Sequence, residues 1–435
     1  MNINPKCILR LTVQSFLVFG LALCACAGSL YADTIKVGLY HGSETKNSYT
    51  ISAQDGFCVG HVKQDGTFEA YDSFYASNVE ISCDGSIISI IADGTVKDAF
   101  SNNVVISPLN ADGAFTMGGK SYKGFIEFKK QSLGKLSAIN HVSTEDYVKG
   151  VLPSEFIPSW DTEALKAGAV AVRTYVLKNL GKHDGFDICS TVHCQVYNGM
   201  KNSTQKADEA VEQTAGMVLC YDGELAETLY CSGAVGHTES ADNVWGTDLK
   251  RYPYLSGVDL SFVPDEYHTN VIWKKLVTRK ELGKAVGLDS VVDIDCEYNH
   301  TGYLSSITLY GNDGQTKTAK RSEKVRGLLN GLVPSAKFTV HNVYIPAQSS
   351  GTVEVLDSQG ITTQSSQNLT LLTADGLVKA DGLEEAFLFD GSGRGHGVGM
   401  SQYTCQALAA MGYTYDEILY FFYPGTYLYD NFTVQ

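Results

Sequence analysis

The sequence contains no run of lysines and arginines. Its 435 residues carry 33 Lys and Arg against 48 Asp and Glu, a formal net charge of −15. Nucleic-acid binding needs clustered cations to replace counterions, so that class is excluded and no nucleic-acid partner is expected. The same acidity argues against adhesion to anionic lipid heads. Internal repeats and long low-complexity tracts are also missing. Charged residues make up 19% and hydrophobic residues 44%, a globular balance rather than a disordered one. A chain of this length exceeds one usual core, so two or three structural units are expected.

The one long apolar stretch lies at the start. Lys6 and Arg10 precede residues 11–32, which are interrupted only by Thr12, Gln14, Ser15 and small residues. A charged start followed by an apolar run is an export pattern, so residues 1–32 read as a signal peptide or membrane anchor. Ala25-Cys26-Ala27 fits a small-residue cleavage site, Leu23-Cys24-Ala25-Cys26 resembles a lipoprotein site, and the run is long enough to stay as a single anchor. The expected location is extracytoplasmic, in the cell wall or at the membrane. Eleven cysteines include Cys7, Cys24 and Cys26 in this stretch. Outside the cell disulfides are permitted, but most of the others are isolated, as small buried apolar residues are. Only Cys189 and Cys194 are close in sequence.

The expected fold class is mixed α/β (α+β). Residues 33–120 form a β-rich N-terminal region: short alternating runs are separated by Asp-Gly pairs at Asp65, Asp84, Asp93 and Asp112, a strong hairpin pattern. No chemistry is visible there. Residues 121–270 and 346–435 form a discontinuous main unit, interrupted by an α/β insert at 271–345. In the main unit Ser143 caps a short helix that ends near Pro153-Ser154-Glu155. Asp161 opens a second helix, with Leu165, Ala169, Val172, Val176 and Leu180 as its buried stripe and Gly181 at its end. Glu155 therefore falls in the corner between two rigid elements.

Four segments carry candidate chemistry. The first is Val151-Leu152-Pro153-Ser154-Glu155 with Glu163-Ala164-Leu165-Lys166-Ala167-Gly168-Ala169-Val170-Ala171-Val172-Arg173-Thr174-Tyr175. The second is Asp187-Ile188-Cys189-Ser190-Thr191-Val192-His193-Cys194-Gln195-Val196-Tyr197. The third starts at Ser232, runs through Gly236-His237-Thr238-Glu239-Ser240 and ends at Val244-Trp245-Gly246. The fourth is Gly393-Arg394-Gly395-His396-Gly397-Val398-Gly399-Met400-Ser401-Gln402, followed by Tyr423-Pro424-Gly425-Thr426.

This order resembles the stage II sporulation protein D family, also known as the LytB-type amidase-enhancer family, across residues 121–435. Before Ser121 only the opening Ile35-Lys36-Val37-Gly38-Leu39-Tyr40 is similar. One departure is visible: the third segment of the family has paired glycines, and this chain has Val235-Gly236, which reshapes the groove there. The resemblance implies a peptidoglycan lytic transglycosylase, in sporulation and engulfment or in wall remodelling, and maps the catalytic glutamate onto Glu155. The chemistry agrees, because glycoside cleavage needs a protonated carboxyl to donate to the leaving oxygen. Leu152, Phe156, Ile157 and Trp160 supply apolar neighbours that raise a carboxyl pKa. The competing role is a helix-end carboxylate paired with Lys166 or Arg173. Were water the attacking group instead, the nearest second carboxylates are Glu239 and Asp242.

His183, Cys189, His193 and Cys194 are the metal candidates. They are good zinc donors, and the resemblance implies a structural zinc here in some members. Adjacent His193 and Cys194 normally point apart, and a Cys189–Cys194 disulfide or two buried thiols remain open readings. The fourth segment looks like a dinucleotide loop but lacks a strict G-x-G-x-x-G and a Walker lysine, so neither a nucleotide nor a redox cofactor is expected. Its glycines let backbone approach a sugar closely. Gln195, Tyr197, Ser232, His237, Thr238, Arg394, His396 and Gln402 are the expected substrate-binding residues, with a satisfied structural histidine as the other reading of His396. Ser232 lacks a G-x-S-x-G elbow, so a serine hydrolase is not expected. The expected partners are peptidoglycan glycan strands, a cell-wall amidase and other membrane-anchored engulfment proteins. The alternative from another class is a non-catalytic wall-binding enhancer of a partner N-acetylmuramoyl-L-alanine amidase.

Overall fold

The computed structural model describes residues 34–110, 113–346, 352–357, 360–365 and 383–430. The export stretch and the Asp112 turn lie outside the described residues. Among those described, no helix is long and apolar enough to cross a membrane. The chain has the mixed α+β fold expected, with a β-rich N-terminal region, and it divides into two compact units: Met1–Leu229 with Cys405–Gln435, and Tyr230–Thr404. Residues 230–270 and 346–404 thus share a unit with residues 271–345.

The first unit is built on a seven-stranded and a six-stranded sheet. The Asp65, Asp84 and Asp93 pairs each turn a hairpin, between Phe57–Val62 and Phe68–Phe74, Asn78–Cys83 and Ile88–Ala92, and Ile88–Ala92 and Thr95–Phe100. The opening strand, Thr34–Tyr40, pairs antiparallel with Leu136–Ser143 and parallel with Ile188–Cys189. The N-terminal region and the second candidate segment therefore share a sheet. Helix α1 (Thr144–Glu155) starts where Asp146 N–H donates to the Ser143 side chain, as a cap should, and ends at Glu155. Helix α2 (Thr162–Lys178) follows.

Helix α2 is buried on nearly every face, not along one stripe. Its small residues make this possible. A Cβ on Gly168 would lie 2.9 Å from Leu152 and 3.0 Å from Phe156, so α1 and α2 close onto each other through a missing side chain. Arg173 is 1% exposed yet fully employed. It donates two bonds to the Glu145 carboxylate, at 2.8 and 2.7 Å, and others to the carbonyls of Met217 and Val211. This bidentate pair locks the two helices side by side.

The second unit contains two antiparallel three-stranded sheets. In one, Leu383–Ser392 runs between Ile272–Thr278 and Phe338–Pro346. In the other, Leu304–Gly311 runs between Val291–Tyr298 and Thr316–Lys320. A turn at His300-Thr301-Gly302 joins Val291–Tyr298 to Leu304–Gly311. Trp273, Leu282, Ile307, Val325, Phe338 and Phe389 belong to its core.

Candidate active site and metal cluster

Glu155 is the last residue of α1 and is half-buried. Val196 N–H donates to its Oε1 at 2.7 Å. The negative end of the α1 dipole opposes a charge there, while the Val196 donor favours one. Leu152 and Phe156 are buried beside it, Trp160 meets Phe156 edge-on at 6.1 Å, and Ile157 is 44% exposed. The corner after Glu155 is tied at Asp161, which exchanges two hydrogen bonds with Gln406 from the helix Gln402–Ala410. Lys166 pairs with Glu163 at 2.9 Å and Arg173 with Glu145. The two cations of the competing structural role are thus engaged with other carboxylates.

The loop that presents Val196 is held from both sides. Cys189 sits on a short strand against Gly38, which must lack a side chain because a Cβ would meet the Phe186 ring at 2.7 Å. Phe186 in turn stacks on His183 at 4.6 Å. On the other side, Tyr197 packs where Gly150 of α1 leaves room; a Cβ there would lie 2.5 Å from its ring. Tyr197 O–H donates to Asn140, and Tyr147 O–H donates to Gln195. Burial pushes both phenols well above their ordinary pKa, so they stay donors. Gln195 and Tyr197 are each 1% exposed. This corrects the expectation that they line the substrate groove: their side chains brace the loop from inside, and the group that reaches Glu155 between them is a backbone N–H. Ser154 adds a polar cluster beside Glu155, accepting from Asn198 at 3.1 Å and Asn202 at 3.4 Å. Neither the backbone donor nor this serine was anticipated. Only the adjacency of Ser154 and Val196 to expected residues could have drawn attention to them.

His183, Cys189, His193 and Cys194 come together, their donor atoms all within 4.8 Å of one another. His183 Nε2 lies 3.2 Å from Cys194 Sγ, and His193 Nδ1 lies 3.4 Å from Cys194 Sγ and 3.6 Å from Cys189 Sγ. A tetrahedral zinc with ordinary bond lengths puts sulfur and nitrogen about 3.6 Å apart. The donor set and its spacing fit that ion. Adjacent His193 and Cys194 converge because this is a turn, with Cys194 N–H donating to Thr191, so strand alternation does not apply. Both thiols are free, which sets aside the disulfide. The hydrogen bond between them pushes the Cys189 pKa down and that of Cys194 up.

The other six expected residues lie in the second unit. Thr238 is 1% exposed, and its hydroxyl accepts from Val258 N–H; Gln402 is 5% exposed. His237 is half-buried with Nδ1 against the Thr238 carbonyl, Arg394 is exposed and donates to the Asn270 carbonyl, and Ser232 is half-buried. His396 packs on Trp245 at 5.0 Å, and its Nδ1 accepts from Val398 N–H. Burial pushes its pKa down to about 4. Glu239 is 0% exposed. Its carboxylate accepts from Ser240 N–H, Asn243, Asn299 and Thr301 at 2.6–3.1 Å. All four donors belong to its own unit, which makes it a structural hub rather than a waiting base.

These features define a mixed α/β unit with a half-buried glutamate at a helix corner beside a His/Cys cluster. Residues 132–221, which include both, match the SpoIID family model, described as Stage II sporulation protein. The resemblance to the stage II sporulation protein D and amidase-enhancer family, a cell-wall-related family, is thereby shown. The chain is 28% identical to an amidase enhancer of Bacillus subtilis across 92% of its own length, spanning 60% of that protein. It is 25% identical to a stage II sporulation protein D of Bacillus subtilis across 66% of its length and 75% of the relative. An uncharacterized protein of Brachyspira hyodysenteriae is 28% identical across 92% of this chain and 95% of its own.

Proposed function

We propose that the chain is an exported peptidoglycan lytic transglycosylase with Glu155 as its single acid and base. The observation that carries the reading is the environment of Glu155. A half-buried carboxyl is fixed by a backbone N–H at a rigid corner, with the neighbouring cations of α2 engaged elsewhere. Protonated Glu155 donates to the glycosidic oxygen as the bond to C1 breaks, and the sugar develops oxocarbenium character. The resulting carboxylate then takes the proton of the same sugar's 6-hydroxyl, whose oxygen bonds to C1. The products are a free hydroxyl on the leaving strand and a 1,6-anhydro end. No water enters, so no second carboxylate is needed.

His183, Cys189, His193 and Cys194 would hold a structural zinc, which supplies a crosslink across the loop and no step of the reaction. The chain's own residues then orient Val196 N–H toward Glu155. The substrate is the glycan strand, and the proposed location is the cell wall or the outer membrane face. The relative named amidase enhancer supports a second reading, a wall-binding module that stimulates a partner amidase. Glu155→Gln separates the two. On purified walls the wild type should release soluble muropeptides and the variant should not. Equal release by both would remove Glu155 from the reaction. Wall binding without release by either would favour the enhancer.

A further inference from the structure

The first unit carries a groove that the Glu155 reading does not use. Two turns cross between its sheets: residues 54–56 lead from Ser48–Ala53 to Phe57–Val62, and residues 75–77 lead from Phe68–Phe74 to Asn78–Cys83. With the hairpin turn at Asp93 they line an open groove of about 580 Å³. Gln54, Asp55, Tyr75, Ser77, Asn78 and Asp93 line it. Loops gathered at one end of packed sheets are where rigid scaffolds present binding groups.

Tyr75 is the unusual member. At 85% exposure it turns nearly its whole ring to water, open to a ligand. Tyr71, on the strand that runs into this turn, is 56% exposed. The other polar side chains lining the groove are two amides, two carboxylates and a hydroxyl. An open aromatic face ringed by short acceptors and donors suits the C–H face and equatorial hydroxyls of a pyranose. The two carboxylates accept from sugar hydroxyls and disfavour an anionic ligand.

We infer that this groove is a second carbohydrate site, binding an uncharged N-acetylhexosamine chain with Tyr75 as its stacking platform. It holds a strand and performs no chemistry.

Chitotetraose, titrated calorimetrically into the full chain bearing Glu155→Gln to prevent turnover, tests this. Adding Tyr75→Ala should weaken one equivalent of binding roughly tenfold or more, while Tyr75→Phe preserves it. The melting temperature should not change, because the side chain is exposed. A single equivalent that Tyr75→Ala removes upholds the groove even if the Glu155 reading fails. An isotherm unchanged by Tyr75→Ala overturns it, as does tighter binding of an anionic oligosaccharide at this position.

Discussion

Glu155 and Glu239 are both withdrawn glutamates in segments that carry the family resemblance, yet their surroundings differ. Glu239 is fully buried and saturated by four donors from its own unit. Glu155 stands half-buried at a helix end, with one short backbone bond to Oε1 and an exposed isoleucine nearby. The first arrangement employs the carboxylate wholly within its own unit. The second holds a carboxyl in place and leaves it partly open to solvent. Burial alone therefore does not single out the proposed acid; its half-buried place at a helix corner does.

The contrast is tested first by parallel substitutions. Glu155→Gln should lower the rate on purified walls by about 10²–10⁴ without moving the melting temperature. Glu239→Gln should destabilise the fold by about 1–3 kcal/mol, because buried donors lose their acceptor, while the rate per folded molecule holds. Loss of rate without loss of stability in Glu239→Gln would erase the distinction. Arg173→Ala asks whether the pairing of α1 with α2 holds the Glu155 corner. It leaves the buried carbonyls it served without a donor while Glu145 stays partly solvated, so a loss of about 1–3 kcal/mol is expected in denaturant unfolding.

The His/Cys cluster gives a smaller effect on the Glu155 side. Cys189→Ser or Cys194→Ser should abolish zinc in elemental analysis and reduce the rate, with the metal-free wild type behaving alike. Zinc retained by either variant would contradict the donor set. The mildest effect belongs to the second unit. Because the His396 pKa is pushed down to about 4 from an ordinary 6.5, the unfolded chain binds a proton between those values that the folded chain does not. Its contribution is present above pH 6.5 and fades as pH falls toward 4. His396→Gln should flatten that part of the stability profile measured against wild type.

Much of this was legible in the sequence, and the failures have physical causes. Ser143 and the three-and-four spacing in α2 reveal two helices and the corner between them, since capping and periodicity are local. The four metal candidates were legible as residue types. Their convergence was not, because it depends on a turn at 191–194 and on Phe186 seated over Gly38. Gln195 and Tyr197 misled because polar side chains in a motif suggest a surface, while here they satisfy Tyr147 and Asn140 in the interior. Val196 was invisible, because a backbone donor leaves no trace in side-chain chemistry. The sharing of one sheet by Thr34–Tyr40 and Ile188–Cys189 was hidden by distance along the chain.

The central claim is that Glu155 works alone, returning as base to the proton of the sugar's own 6-hydroxyl. Mass spectrometry of the muropeptides that the purified wild-type chain releases from cell walls tests it most directly. The account predicts 1,6-anhydro ends, lighter by one water than hydrolytic products and resistant to borohydride reduction. Reducing ends on the released strands would show that water attacks, and would contradict a mechanism built on one glutamate.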